Sequence, residues 1–114
     1  MTERPTGHPS YIELAVPDTA AARVFYGELL GWPSPSDDGP QEISTPTLDI
    51  GLHSGDERAL FEVFFVVEDI AASLQQVEAL GGRVERPTQA VPGFGAFAQC
   101  SDDQGVRFGL RELP

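Results

Sequence analysis

The sequence predicts an α+β fold made of two tandem βαβββ units, and three observations carry that expectation. The first is a repeat at a fixed offset of 51 residues. Ile12, Leu14, Val16 and Asp18 recur as Val63, Phe65, Val67 and Asp69, and Ala21, Leu29 and Gly31 as Ala72, Leu80 and Gly82. A constant offset across several kinds of local pattern is the mark of a duplicated supersecondary unit. The second is that the ends of the two copies match at an offset of 58, Ile50-Gly51-Leu52 against Phe108-Gly109-Leu110, so the second copy carries about seven more loop residues. The third is a change of hydrophobic period inside each copy, from two to about 3.6 and back to two, which reads strand–helix–strand–strand–strand.

Residues 1–9 hold two prolines and a glycine without periodicity and read as a flexible arm, with His8 as a solvated arm residue. The domain proper is expected from 10 to 114, with repeat one at about 10–55 and repeat two at about 60–114. Tyr11–Val16 alternates. Ile12, Leu14 and Val16 form a core face, while Tyr11, Glu13 and Ala15 form a polar one suited to the wall of a wet cavity. Asp18 or Thr19 caps a helix whose Ala22, Phe25, Tyr26, Leu29 and Leu30 should cover the strand's apolar face, with Gly31 as the stop. Trp32-Pro33 begins the exit into a polar loop at Ser34–Pro40. Two short strands, Glu42–Thr47 and Leu48–His53, divide around Pro46, and Asp49, Gly51 and His53 share one face of the second. Ser54–Arg58 is a charged turn linking the copies.

In the second copy, Leu60–Val67 is a strand with Val63, Phe65 and Val67 expected in the core and Glu62, Phe64 and Val66 on the opposite face. Asp69 caps a helix with Ile70, Leu74, Val77 and Leu80 as its buried stripe and Gly81-Gly82 as its end. Val84 begins a short strand before Pro87, and Pro92–Gly95 is a loop. Ala96–Cys100 and Val106–Leu110 are strands joined by the turn Asp102–Gly105.

The bulk numbers narrow the function. One hundred and fourteen residues with 40% hydrophobic content make one soluble domain without a membrane span. The N-terminus MTERPTGHPS has no apolar segment to make a signal peptide. A single cysteine, Cys100, cannot form an internal disulfide and suits the cytoplasm. It alternates with Ala96 and Ala98 as a small packing residue, with no cationic motif beside it to activate the thiol. A net charge of −11, from 18 acidic and 7 basic residues, argues against nucleic acid. It serves solubility, or draws in a cationic ligand. There is no phosphate-binding loop and no nucleophile elbow.

Two βαβββ units with Val16-Pro17-Asp18 opening the first helix, Ala22, Phe25-Tyr26, Leu29 and Gly31-Trp32 along it, Gly81-Gly82 ending the second, Pro92-Gly93-Phe94-Gly95 and the Asp102–Gly105 turn resemble the vicinal oxygen chelate superfamily, the group of glyoxalase I, extradiol dioxygenases and bleomycin-resistance proteins. The resemblance covers about Tyr11 to Leu113. It implies a curled mixed sheet with a central cleft, helices on the outer face, and chains paired as homodimers. Metal-using members place a histidine seven residues before each helix-capping aspartate, and glutamates at two strand ends. Here those four positions hold Tyr11, Glu62, Gly51 and Gly109. Three of four ligands are replaced, two by glycine, which is expected to leave volume where a metal would sit. A catalytic divalent ion needs three or more protein ligands and an open position.

The expected function is therefore metal-free binding of a small organic molecule, cationic or aromatic, in a cleft walled by Tyr11, Glu13, Asp49, His53, Glu62, Phe64 and Arg107. No cofactor is expected. Phe94 and Phe97 are further candidates to stack on a flat ligand, Phe97 being equally suited to the core. The alternative is a metal-dependent lyase, isomerase or dioxygenase with a displaced site built from Glu13, Glu62, Asp49 and His53. A dimeric accessory module with no small-molecule role is a third reading. Arg107 and Arg111 alternate with Gly109 and are natural partners for the wall carboxylates.

Overall fold

The computed structural model describes residues 6–33, 42–45, 47–54 and 60–114. The Ser34–Pro40 loop, Pro46 and most of the Ser54–Arg58 turn lie outside them. The order is β1 (Pro9–Ala15), α1 (Thr19–Leu30), β2 (Glu42–Ser44), β3 (Asp49–His53), β4 (Leu60–Val66), α2 (Ile70–Ala79), β5 (Arg83–Val91), β6 (Gly95–Ser101) and β7 (Arg107–Glu112). Two helices and seven strands with parallel and antiparallel pairs make the expected α+β class. The chain separates into two compact units, Tyr11–Glu62 and Val63–Pro114, the latter joined by the segment ending at Ser10. Among the described residues the first repeat has two strands after its helix, not the three expected.

In the first unit, β3 lies between β1, to which it is parallel, and β2, to which it is antiparallel. The register sets Ile12 beside Ile50 and Leu14 beside Leu52, so the even positions of both strands form one apolar face. Leu14, Ala22, Ile43, Ile50 and Leu52 are the buried core, with Ile12, Val16, Tyr26, Trp32 and Leu48 packed on it. Asp18 caps α1 by accepting the Ala21 N–H at 3.0 Å. Gly31 closes the helix at φ 73°, a left-handed conformation in which a Cβ is costly. The helix stripe is narrower than its periodicity suggests: Phe25 (60%), Leu29 (66%) and Leu30 (53%) are exposed. Just past the helix, Trp32 stacks on Tyr26 with ring centroids 5.3 Å apart, and both pack on the core.

In the second unit, β4 pairs in parallel with β7, and β7, β6 and β5 follow antiparallel. Ile70, Ala98, Cys100 and Leu110 form its buried core, lined by Val67, Leu74, Val77, Ala96 and Phe108. Cys100 is thus a fully buried packing residue beside Ala98, as its alternation predicts. Asp69 caps α2 by accepting the Ala72 N–H at 3.1 Å, and Glu112 of β7 caps it a second time, accepting the Ile70 N–H at 2.9 Å. Leu80 stands outside the stripe as the C-cap, 69% exposed.

Three further expectations are corrected. The strand expected from Tyr11 begins at Pro9, because Gly7 and His8 are already tied to the backbone of Val66. β5 runs through Pro87 to Val91, since it lies at the edge of its sheet, where a missing N–H removes no ladder bond, and register shifts between Val84, Arg86 and Gln89 absorb the ring. On β4 the more deeply buried face is the one expected to line a cavity: Glu62 (1%), Phe64 (2%) and Val66 (5%) are buried, while Val63, Phe65 and Val67 are half-buried. No helix among the described residues is long and apolar enough to cross a membrane.

Candidate functional site

The first unit assembles a polar constellation on the odd face of β1 and β3. Parallel pairing sets Glu13 beside Gly51 and Tyr11 beside Asp49. Because β3 rises two residues from Gly51 to His53, the Glu13 carboxylate reaches diagonally to that imidazole: His53 Nδ1 and Glu13 Oε2 are 2.7 Å apart. The other carboxylate oxygen, Oε1, accepts from the Tyr11 hydroxyl at 3.3 Å. One carboxylate therefore holds a phenol and an imidazole at once. The His53 side chain is 37% exposed and that of Glu13 20%, so the pair is desolvated on one side and open to a solute on the other. A carboxylate is acceptor-only when ionised, so the hydrogen of this contact is one that His53 Nδ1 donates. The His53 carbonyl, accepting from Val16 N–H at 3.0 Å, pins the strand end that carries the ring.

Gly51 does not leave a vacancy. The hydroxyl and Cζ of Tyr11 occupy the position that a Cβ at 51 would take, Cζ being 2.7 Å from it, and Glu13 Oε2 lies 3.3 Å away. Asp49 shares the face by alternation, two residues before Gly51, and is half-buried. Of the expected wall residues in this unit, Tyr11, Glu13 and His53 are brought into one hydrogen-bonded chain. Glu62, expected as a polar wall residue, is buried.

The second unit repeats the arrangement with hydrophobic chemistry. Phe64 sits opposite Gly109 in the β4–β7 register, and its ring covers the position a Cβ at 109 would take, with Cγ 2.6 Å from it. Phe64 meets Phe97 edge-on at 5.8 Å, and Phe97 meets Phe94 edge-on at 5.9 Å. Phe97 thus belongs to an aromatic row on the face away from α2. Arg111 completes the row, its guanidinium 3.8 Å from the Phe94 ring centroid while Nε–H donates to the Phe94 carbonyl at 3.0 Å. A second guanidinium nitrogen of Arg111, Nη1, lies 3.4 Å from the Ser10 hydroxyl. Phe64 was expected as cavity lining; it is buried because Gly109 admits its ring. Arg107 starts β7 opposite Ser101 and is half-buried. The role of Arg111 as a clamp on the Phe94 turn was not foreseen. Its alternation with Gly109 was the available signal.

The superfamily's usual metal can be tested on this donor set. Two of the four ligand positions have no side chain, and Tyr11 and Phe64 take up the space in which replacement ligands would project. Among the described residues no three His, Cys, Asp or Glu side chains converge on a point. Glu13 and His53 meet as a pair. Among the described residues, the side chains present do not fit a divalent ion at the usual site, and Glu13, Glu62, Asp49 and His53 form no cluster of three that could hold one.

Residues 11–110 match the family model of the Glyoxalase-like domain. The chain is 29% identical over 133 aligned positions to the anthracycline biosynthesis protein DnrV of Streptomyces peucetius, an alignment covering 96% of this chain and 48% of that protein. It thus spans about half the length of these curated relatives. Among solved structures, methylmalonyl-CoA epimerase from Mycobacterium tuberculosis superposes with a TM-score of 0.66 at 19% identity, covering 100% of this chain and 93% of that one. A glyoxalase/bleomycin resistance protein/dioxygenase superfamily member from Vibrio splendidus gives 0.62 at 17% identity, covering 94% and 99%. At those identities the structural likeness speaks for the fold alone. With the family model matched over residues 11–110, the chain belongs to the Glyoxalase-like domain family.

Proposed function

We propose that this protein binds a small organic molecule without a metal, on the polar face carrying Tyr11, Glu13 and His53. One observation carries the reading: Tyr11 over Gly51 and Phe64 over Gly109 use the space of two metal-ligand positions for the protein's own side chains. What remains is a part-exposed carboxylate–imidazole pair, which offers a solute both a charge and a directed hydrogen bond. The net charge of −11 favours cationic or neutral aromatic ligands over anions. The name of the Streptomyces relative, an anthracycline biosynthesis protein, agrees with an aromatic ligand. The reading takes the protein as a homodimer, which analytical ultracentrifugation tests directly.

The deciding experiment pairs elemental analysis with a melting screen. Protein dialysed against zinc, nickel, manganese and iron should retain no stoichiometric metal. Cationic and aromatic small molecules should then be screened for a raised Tm. A ligand at a hundred times its Kd adds about 2.7 kcal/mol of stability. Stoichiometric metal that disappears in His53→Ala would overturn the proposal in favour of a metal-dependent enzyme.

A further inference from the structure

We propose that the exposed face of α1 is the surface on which two copies of this chain pair, the two helices crossing antiparallel about a two-fold axis near Phe25. This deepens the homodimer of the binding reading by naming its surface, and it concerns a different face from that of Tyr11, Glu13 and His53. Val24 (62%), Phe25 (60%), Leu29 (66%) and Leu30 (53%) stand open on the helix. Phe61 (48%) adjoins them through Tyr26, whose ring it meets edge-on at 5.8 Å and which meets Phe25 edge-on at 5.1 Å. All five belong to the first unit.

The repeat supplies an internal control. At the offset of 51 residues Val24 and Phe25 correspond to Gln75 and Gln76, and Leu30 to Gly81, while Leu29 keeps an apolar counterpart in Leu80. Tyr26 and its counterpart Val77 both pack on their cores. Gln75 and Gln76 are exposed, as Val24 and Phe25 are. The repeated unit thus folds with a polar outer helix face, so its own packing does not require an apolar one on α1. Contiguous apolar surface left in the open marks an interaction site.

Three features select a second copy as the occupant. The first is area. At these exposures the five side chains present on the order of 500 Å² of apolar surface. Two copies supply about 1,000 Å², close to the apolar share of a standard interface of about 1,600 Å². The second is charge. The chain carries −11, yet Thr19–Leu30 holds one arginine and one glutamate and is neutral. Two acidic chains can meet there with little repulsion, whereas an anionic lipid surface would be repelled by a chain that has no lysine. The third is shape. Ala21 and Leu29 lie about one turn before and after Phe25 and are both exposed, so an antiparallel crossing at Phe25 sets Leu29 of each copy over Ala21 of the other.

Sedimentation equilibrium of the full chain through the micromolar range should show a dimer. Val24→Gln/Phe25→Gln, which writes the α2 residues into α1, should weaken dimerisation about a hundredfold, because a two-fold interface carries each change twice. Circular dichroism and urea unfolding of dilute, monomeric protein should match the wild type, since these side chains are exposed within one chain. A second measurement does not depend on that variant. Under mild oxidation Ala21→Cys/Leu29→Cys should give a covalent dimer and neither single variant should, because in this crossing like positions lie about 12 Å apart along the helices, beyond the reach of a disulfide. The native Cys100 is fully buried and adds no background. A wild type that stays monomeric, or a dimer that Val24→Gln/Phe25→Gln leaves unchanged, overturns the inference. So does a double cysteine variant that fails to cross-link, or single variants that do. Each of these leaves ligand binding at Tyr11, Glu13 and His53 to be decided by the melting screen.

Discussion

Alanine at position 109 should destabilise this protein far more than alanine at position 51, although both are strand glycines at matching points of the two repeats. At 109 the new methyl would meet the Phe64 ring, with Cγ at 2.6 Å and two further ring carbons nearer still. Carbon atoms in ordinary contact lie about 3.5–4.0 Å apart, so ring or strand must retreat by about an ångström. The ring has nowhere to go. It is 2% exposed and abuts Phe97. Overpacking of this kind costs about 1–3 kcal/mol. In a domain of this length that is a fall in Tm of roughly 4 °C for each kcal/mol. At 51 the methyl meets the far end of Tyr11, a half-buried side chain. Swinging it aside loses the part-exposed hydrogen bond to Glu13, about 0.5–1.5 kcal/mol. Replacing glycine by alanine in an extended strand returns about 0.4–1 kcal/mol through the unfolded chain. Gly51→Ala should therefore lie near neutrality.

Thermal and urea unfolding of the two variants, with Phe64→Ala and the double variant Phe64→Ala/Gly109→Ala, closes a double-mutant cycle. Phe64→Ala alone should cost about 3–5 kcal/mol. In its presence the Gly109→Ala penalty should vanish, a coupling of about 1–3 kcal/mol between residues in direct contact. A Gly109→Ala variant as stable as the wild type, or additive effects in the cycle, would refute the placement of the ring over Gly109.

Other expectations are simpler to read out. Asp18→Ala and Asp69→Ala each remove an N-cap and should cost about 1 kcal/mol in urea unfolding. The second should cost less than the first, because Glu112 also caps Ile70. Gly31→Ala forces a Cβ into a left-handed C-cap and should cost about 1–2 kcal/mol, with helix loss visible by circular dichroism. The Asp102 carboxylate, accepting from the backbone N–H groups of Val106 and Gln104, is held below its ordinary value. Its stabilisation is present above the ordinary carboxylate range and lost as pH falls through the lowered folded value, so Asp102→Asn should flatten the acid limb of the stability profile. Leu29→Gln, at a side chain 66% exposed, should change stability by no more than about 0.5 kcal/mol.

Much of this fold was legible because its signals are local. Alternation in Tyr11–Val16 places Ile12 and Leu14 in the core, and Asp18, Asp69 and Gly31 act where their chemistry predicts. What could not be read depends on partners distant in sequence. Glu112 caps a helix 42 residues earlier, and His53 meets Glu13 across 40 residues; alternation puts both members on a common face, but only the parallel register of β1 and β3 makes them touch. Rules of propensity also gave way to position. Proline ends a strand in general, but not at the sheet edge where Pro87 lies. A stripe of Phe25, Leu29 and Leu30 should be buried by period, but all three are exposed and Ala22 is the helix's buried residue.

The glycines show why residue identity alone misleads about a site. Read one at a time, Gly51 and Gly109 are lost ligands and empty volume. Read with their neighbours, each belongs to an exchange. Tyr11 and Glu62 occupy equivalent places in the repeats, as do Glu13 and Phe64, so each repeat has one aromatic and one glutamate at these two positions, in opposite order. In each case the aromatic lies over the glycine. The space has been reassigned, not vacated, and one reversion cannot recover it. Gly51→Glu would drive a three-carbon acid side chain into the Tyr11 ring and should unfold at a lower temperature than the wild type. Adding Tyr11→His, which shortens the side chain occupying that space, should recover a good part of the loss, because the two residues are in contact and their effects couple by about 0.5–3 kcal/mol. If Gly51→Glu melts no earlier than the wild type, Tyr11 does not hold that space, and the main support for metal-free binding falls with it.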